Sequence, residues 1–263
     1  MTLHGKSAQR YSLLHPLFLA FFSKSLYRDV GQAWKGHGLV FLFSAVALCT
    51  IPFVLLVQSE VSALLNREAP KIVTQMPSLK ITKGKVSIDR REPYFVKDEK
   101  SGDPLIIFDT TGQIRSLAGS KAVMLVTEKT VIVKNSEGQT RTMDLSGIDS
   151  LSVDRRLLYE WIDELERSFV FILYPCAVFF FFIFRLIEVI LFASLAYFFR
   201  KSSGLTLAYR AYMRLAALSL TPTLVIGALL NIGRIVVPFW WLTSLPLTAG
   251  YLIFAISANR KTA

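Results

Sequence analysis

The chain has 263 residues, 52% of them hydrophobic, and a formal net charge of +11 at pH 7. The hydrophobic residues are concentrated in blocks, which excludes an ordinary soluble domain and indicates a polytopic membrane protein with a soluble insert. Residues 58–167 carry seventeen basic and seventeen acidic side chains, whereas residues 1–38 have a net charge of +4 and residues 168–263 one of +7. Positive charge beside apolar spans favours contact with anionic lipid on the cytoplasmic side and argues against nucleic acid as a partner.

The segment before the first apolar block, residues 1–38, is basic and partly apolar. As a helix that begins near Pro16, it places four apolar residues along one side, a pattern typical of an amphipathic helix lying on the membrane interface. These residues are Phe18, Phe22, Leu26 and Val30. A cleaved signal peptide is the alternative, but no small-x-small cleavage site follows the apolar run and a full span begins soon after it.

Four apolar stretches are long enough to cross a membrane, since about twenty residues span a hydrocarbon core of about 30 Å. The predicted transmembrane helices are residues 39–57, 168–199, 215–232 and 239–258. The second would be about 48 Å long as a helix, and we expect it to cross once, with its surplus taken up by tilt or by turns along the headgroups.

The basic clusters place both ends of the chain in the cytoplasm. The segment before the first span, the loop at residues 200–214 and the tail at residues 259–263 are all basic. The positive-inside rule therefore puts residues 58–167 outside, with four crossings in all. Two crossings within residues 168–199 would move the basic loop outside, which the same rule disfavours.

The soluble insert, residues 58–167, is long enough for one small domain. Runs of β-branched and aromatic residues between turn residues predict a small antiparallel sheet. The runs are residues 79–88, 93–97, 105–110, 122–126 and 130–134. Asp109 and Asn135 each precede a glycine by three residues, as in type I turns, and for Asp109 this interpretation is favoured over a catalytic role.

From Val153 the apolar period becomes that of a helix, with Ser152 as the predicted N-cap. Its apolar face comprises Val153, Leu157, Leu158, Trp161, Ile162 and Leu165. We expect this helix to run into the second span without a break, either as a rigid stalk or as an ordinary amphipathic helix packed on the sheet. The predicted fold is thus an α-helical integral membrane protein with four transmembrane helices and a small extracytoplasmic β-rich (α+β) domain between the first and second.

The second span contains two full charges, Arg185 and Glu188, and their spacing of three places them on one helix face. Ionisable groups inside a span are costly and often functional, so this pair is the candidate intramembrane site. In the alternative, favoured from the sequence, Arg185 snorkels to the cytoplasmic headgroups and both residues only anchor the helix.

The insert lacks the residues that most enzyme sites need. Cys49 and Cys176 lie in apolar spans, and the histidines (His4, His15 and His37) all precede the first span. Ser-His-Asp, Cys-His and His/Cys zinc sites therefore cannot form within the insert. We expect no metal, no cofactor and no enzymatic activity.

Four short motifs follow one another in a characteristic order. They are Pro-Leu-Phe at residues 16–18, Pro-Tyr-Phe at 93–95, IIFDTTG at 106–112 and LAYRAYMRLAALSLTP at 207–222. In this order they resemble, over most of the chain, an uncharacterised family of bacterial polytopic membrane proteins grouped with Yip-like proteins. The resemblance implies a bacterial cytoplasmic (inner) membrane, an outward-facing insert and a loose link to sugar-utilisation operons, but no activity or catalytic residue.

Two function classes follow from these observations. The favoured one is a non-enzymatic membrane protein that binds a partner or ligand through its outer domain, or that supports assembly or envelope homeostasis. The alternative is a transporter or channel component that acts as an oligomer, because four spans are few for a monomeric carrier and no inverted repeat is visible. The expected partners are anionic lipids and either another membrane protein or a second copy of the chain.

Single cysteines test the predicted topology. In a chain freed of Cys49 and Cys176, Ser136→Cys is expected to react with an impermeant thiol reagent in intact spheroplasts, because residue 136 lies outside. Ser7→Cys and Ser203→Cys are expected to react only after the membrane is permeabilised. Labelling of Ser203→Cys from outside would contradict the four-span topology.

Overall fold

The structure, a computed structural model, describes residues 15–34, 37–135, 137–200 and 207–260. The chain divides into two compact units. The helical unit comprises residues 1–58 and 169–263, and the β unit comprises residues 59–168. The described helices are α1 (His15–Leu19), α2 (Lys24–Gln32), α3 (His37–Val73), α4 (Arg155–Phe198), α5 (Tyr209–Ser219), α6 (Thr221–Ile232) and α7 (Trp240–Asn259).

Among the residues that the structure describes, four helical segments are long and apolar enough to cross a membrane: Gly38–Val73 in α3, α4, the segment Tyr209–Ile232, and α7. The first has 36 residues and α4 has 44, or about 54 and 66 Å at 1.5 Å per residue. Because a hydrocarbon core is only about 30 Å thick, both helices extend well beyond any single crossing. α3 was predicted to end with its span at residue 57, but good helix formers follow there and no glycine interrupts them before Val73.

The third apolar segment begins earlier than predicted. α5 starts at Tyr209, so Arg210 and Arg214 lie on a helix, although the sequence placed them in a cytoplasmic loop. Residues 201–206 of that loop lie outside the described residues. Of the four segments, Tyr209–Ile232 is the most enclosed by the rest of the protein.

The break between α5 and α6 occurs at Leu220, two residues before Pro222. Proline has no N–H to continue the helical hydrogen bonds. Hydroxyl groups bond the carbonyls nearby: Ser219 Oγ donates to Leu215 O at 2.8 Å, and Thr223 Oγ1 donates to Leu220 O at 2.8 Å. Two hydroxyl groups thus bond carbonyls at the break, whereas Thr221 Oγ1 is buried there and has no hydrogen-bond partner among the described residues.

The N-terminal segment is built into the helical unit. Leu26 and Val30, two of the four residues predicted to face lipid, are buried, whereas Phe18 and Phe22 are 71% and 56% exposed. The segment is also divided into α1 and α2 around Ser23, which caps α2. The prediction of one interfacial helix is wrong in these respects, because α2 packs against α5 and α7.

Side-chain hydrogen bonds hold α2 against α5 and α7. Asn259 Nδ2 donates to Tyr27 O at 3.0 Å, Arg28 Nε to Ala258 O at 2.6 Å, and Arg214 Nη2 to Gly31 O at 2.7 Å. A Cβ atom on Gly31 would lie 2.5 Å from Asn259 Oδ1, so any larger residue there would displace the Asn259 amide. The last turns of α2 and α7 thus supply carbonyls that side chains satisfy.

The described residues of the β unit form eight strands in two sheets. The strands are β1 (Leu79–Thr82), β2 (Lys85–Ile88), β3 (Tyr94–Lys97), β4 (Pro104–Phe108), β5 (Met124–Val126), β6 (Thr130–Lys134), β7 (Thr140–Asp144) and β8 (Ser150–Val153). The sheets have the orders β2-β1-β8 and β3-β4-β5-β6-β7. The prediction of one antiparallel sheet is wrong, since there are two sheets and β4 pairs with β5 in parallel.

Strand alternation builds the core of the β unit on both faces of the larger sheet. Phe108 packs with Ile81 and Val86 of the smaller sheet, while its neighbour Ile107 packs on the opposite face with Leu117 from the β4–β5 connection. Successive side chains of a strand point to opposite faces. The connection between the two parallel strands therefore covers the face that the smaller sheet leaves open.

The end of α4 that lies in the β unit departs from the prediction at its N-cap. Asp154 is the N-cap, since its Oδ1 accepts from the Leu157 N–H at 2.8 Å, and Ser152 belongs to β8. Trp161 and Leu165 are 50% and 60% exposed, so at these positions the apolar face is not packed on a sheet. As predicted, the helix then continues without a break to Phe198.

The run at residues 79–88 was predicted as one strand but is a hairpin. Lys83 and Gly84 form its turn, both with positive φ, 51° and 73°, as a two-residue hairpin turn requires. A Cβ atom on Gly84 would also lie 2.6 Å from Ser146 Cα. Gly84 is thus fixed by its conformation and by a neighbouring backbone.

Gly84→Ala is expected to destabilise the β unit by more than the roughly 1–2 kcal/mol of left-handed strain alone, because backbone must move as well. Gly102→Ala is the matched control, since Gly102 has φ +70° and a Cβ atom added there would meet nothing within 4 Å. Hydrogen exchange of β1 and β2 in the full chain measures the effect. Equal losses of protection in the two variants would contradict the close approach.

Candidate functional site

The candidate site lies in the apolar part of α4, where Arg185 and Glu188 form an ion pair. Arg185 Nη1 donates to Glu188 Oε2 at 2.6 Å, and the side chains are only 12% and 6% exposed. The spacing of three residues in a continuous helix brings the two groups onto one face. The two side chains therefore form an ion pair in which Glu188 is buried and Arg185 is largely covered.

This geometry differs from the anchoring interpretation that the sequence favoured. In that interpretation Arg185 extends towards headgroups, whereas in the structure its guanidinium turns to Glu188 and lies 5.7 Å from the centre of the Phe184 ring. Extension would leave the Glu188 carboxylate alone among apolar side chains, at a cost of several kcal/mol. Mutual pairing avoids that cost.

The surroundings of Glu188 are apolar. The next residue, Val189, and Ala193 one turn on are fully buried in the core of the helical unit. One turn before Arg185, α4 contacts α3, since the ring centres of Phe182 and Phe43 lie 5.4 Å apart. The pair thus lies within the helical unit, where α4 meets α3.

One carboxylate oxygen of the ion pair has no hydrogen-bond donor among the described residues. Glu188 Oε1 is buried and accepts no hydrogen bond from any residue in the described part of the chain. A buried carboxylate oxygen without a donor is unfavourable and has free capacity for a proton or a cation. The ion pair therefore leaves one carboxylate oxygen with unused acceptor capacity.

The other deep polar residues do not extend this site. Thr248 is buried and its Oγ1 donates to Ser244 O of its own helix at 3.1 Å. Across the described ranges, no three His, Cys, Asp or Glu side chains come together as a metal site. The ion pair is thus a local feature of α4 and its neighbour α3.

Asp109 in the β unit holds a turn, as predicted. Its carboxylate accepts from the Thr111 N–H at 2.9 Å, from the Thr111 hydroxyl at 2.6 Å and from the Ile114 N–H. Burial acts to raise the pKa of Asp109, but these hydrogen bonds outweigh burial and lower the pKa below its ordinary value. The turn is therefore stabilised by an ionised carboxylate, and this contribution is lost only as the pH falls through that lowered pKa.

The sequence did not single out the arginines of α5 as site residues. Arg210 and Arg214 line a cavity of about 360 Å³ with Gly38 and Leu39 of α3. Their spacing of four residues was the available signal, since it places both on one helix face. This spacing was missed because both arginines were predicted to lie in a loop rather than on a helix.

Removal of one partner at a time tests the buried pair. Arg185→Leu and Glu188→Leu are each expected to lower the stability in detergent sharply, by about 3–5 kcal/mol, because each leaves an uncompensated buried charge. The double variant is expected to recover much of that loss. The control is the exposed pair of Arg156 and Glu160 in the same helix, 2.9 Å apart, whose removal is expected to change little. Small losses of stability in both single variants and in the double variant would indicate that Arg185 and Glu188 only anchor the helix.

Comparison with known proteins adds a family. A family model described as a protein of unknown function (DUF1189) matches residues 14–256. An uncharacterized protein of Rickettsia prowazekii (strain Madrid E) is 23% identical over 128 residues, which cover 44% of this chain and 44% of that protein. The match thus spans less than half of the relative's length, and no solved structure matches the chain. Since the family model covers nearly all of its residues, the chain belongs to the DUF1189 family of proteins of unknown function.

Proposed function

We propose that this protein is a non-enzymatic multi-pass protein of the bacterial cytoplasmic membrane that binds a partner in the envelope through its outer domain. Both termini lie in the cytoplasm and residues 58–167 lie outside. The four long apolar helices support membrane insertion, and the distribution of basic residues supports this orientation. The Yip-like grouping and the link to sugar-utilisation operons stay implications of the resemblance and assign no residue a role.

The apolar face at the start of α4 carries the proposal. Trp161 and Leu165 stand one helical turn apart within the β unit and are 50% and 60% exposed. Large apolar side chains that remain exposed together are typical of interaction surfaces, and tryptophan is enriched among residues that dominate binding energy. The sequence around these two positions is acidic, with Glu160, Asp163, Glu164 and Glu166.

A photoreactive amino acid placed at position 161 or 165 tests this surface in intact cells. Both positions are expected to give a discrete protein adduct, because the partner covers this face. Asp163 is the matched control position, since its side chain points away from the helix face that carries Trp161 and Leu165. Adducts that form equally from position 163, or the absence of a protein adduct from positions 161 and 165, would contradict the proposal.

A transporter or channel component is the second candidate, and the buried carboxylate of Glu188 is the observation that favours it. A proton or cation that crosses the helical unit would need an intramembrane group with free acceptor capacity, which Glu188 Oε1 has. Proteoliposomes that contain the protein are then expected to show a cation or proton flux that Glu188→Gln abolishes. Flux no greater than in empty liposomes excludes this candidate and leaves the first.

A further inference from the structure

A cavity in the helical unit has the form of a small amphiphile site. It has a volume of about 360 Å³ and lies between the start of α3 and the α5 helix. Its lining residues are Gly38, Leu39, Arg210, Met213, Arg214 and Ala217. The wall is thus mostly apolar, with two guanidinium groups and no acidic side chain.

The two arginines are incompletely satisfied. Arg214 Nη2 donates to Gly31 O at 2.7 Å, but its Nε is buried and has no hydrogen-bond partner among the described residues. Arg210, four residues earlier, is exposed and forms no hydrogen bond or ion pair with the part of the chain that the structure describes. Like charges at this spacing on a helix repel each other. An anion between them would relieve the repulsion and accept from the free N–H groups.

The helical unit cannot supply that anion from its own side chains. Outside residues 58–167 the sequence contains only two carboxylates, Asp29 and Glu188. Asp29 accepts from the Trp34 indole N–H at 3.1 Å, and Glu188 is paired with Arg185. The undescribed residues contribute no aspartate or glutamate, since residues 1–14, 35–36, 136, 201–206 and 261–263 contain neither.

The shape of the cavity selects an anion with an apolar tail. Leu39, Met213 and Ala217 provide apolar wall, and Gly38 keeps the space beside Arg214 open, since a Cβ there would lie 3.0 Å from Arg214 Cγ. Free phosphate would leave that apolar surface uncovered. We infer that the cavity binds an anionic glycerophospholipid, with its phosphate on Arg210 and Arg214 and an acyl chain along the apolar wall. This inference rests on the membrane insertion that the proposed function assumes, but not on the partner surface at Trp161.

Lipid titration of the purified full chain in a neutral detergent tests the site. Phosphatidylglycerol is expected to bind, as read by native mass spectrometry, at least about tenfold more tightly than zwitterionic phosphatidylcholine, because charge-assisted hydrogen bonds to phosphate are stronger when no cationic headgroup competes. Arg210→Gln is expected to remove that preference. Lys24→Gln is the matched control, since Lys24 belongs to the same unit but does not line the cavity, and it is expected to keep the preference.

A second variant tests the apolar wall and leaves the charges unchanged. Gly38→Leu is expected to weaken phosphatidylglycerol binding by filling the cavity, while the circular dichroism spectrum reports that the chain is still folded. Competition by inorganic phosphate at equal concentration would overturn the lipid assignment in favour of a free anion. Equal binding of both lipids, or full binding by Arg210→Gln, would overturn the site itself. None of these results depends on adducts at positions 161 and 165, so the failure of the partner surface is distinguishable from the failure of the lipid site.

Discussion

The cost of removing charge from water is the constraint on which the helical unit depends. This unit contains many cations but only two side-chain carboxylates, Asp29 and Glu188. Two of its arginines therefore bond backbone carbonyls: Arg28 bonds the last turn of α7, and Arg214 bonds the last turn of α2. Carbonyls at helix C-termini lack intrahelical partners and favour a nearby positive charge. Because carboxylates are scarce, these arginines bond backbone carbonyls instead and thereby hold α2 in place. For the same reason Arg210 is left free to bind an external anion.

In the β unit, by contrast, acidic and basic residues are equally numerous and pair at the surface. Its seventeen basic and seventeen acidic residues balance, and several meet in exposed pairs such as Lys85 with Glu128 at 2.8 Å. Exposed pairs contribute little to stability, so the stability of this unit comes from its two-sided core and from turn carboxylates such as Asp109. The balanced surface of the β unit thus contrasts with the long apolar helices of the helical unit, which are long enough to cross a membrane.

The sequence predicted the features that depend on long runs of residues and missed those that depend on single positions or distant neighbours. Apolar length predicted the four long helices, and the Asx pattern predicted the Asp109 turn. The Gly84 hairpin was missed because strand-forming residues continue on both sides of it, and β7 was missed because all five of its residues are exposed. The burial of Leu26 was missed because a helix face that packs on protein and one that lies on lipid have the same apolar period. The pairing of Arg185 depended on energetics that spacing alone does not decide.

We expect part of α3 to cross hydrocarbon and the rest of the same helix to lie in water with the β unit. Leu48 and Leu64 are a matched pair for this test, since both are leucines of α3, 47% and 51% exposed, about 24 Å apart along the helix. The measurement is the depth of a spin label at each position in lipid nanodiscs, from its accessibility to oxygen and to a water-soluble nickel complex. The label at position 48 is expected to favour oxygen and the label at position 64 to favour nickel. Equal depth at the two positions would contradict the account.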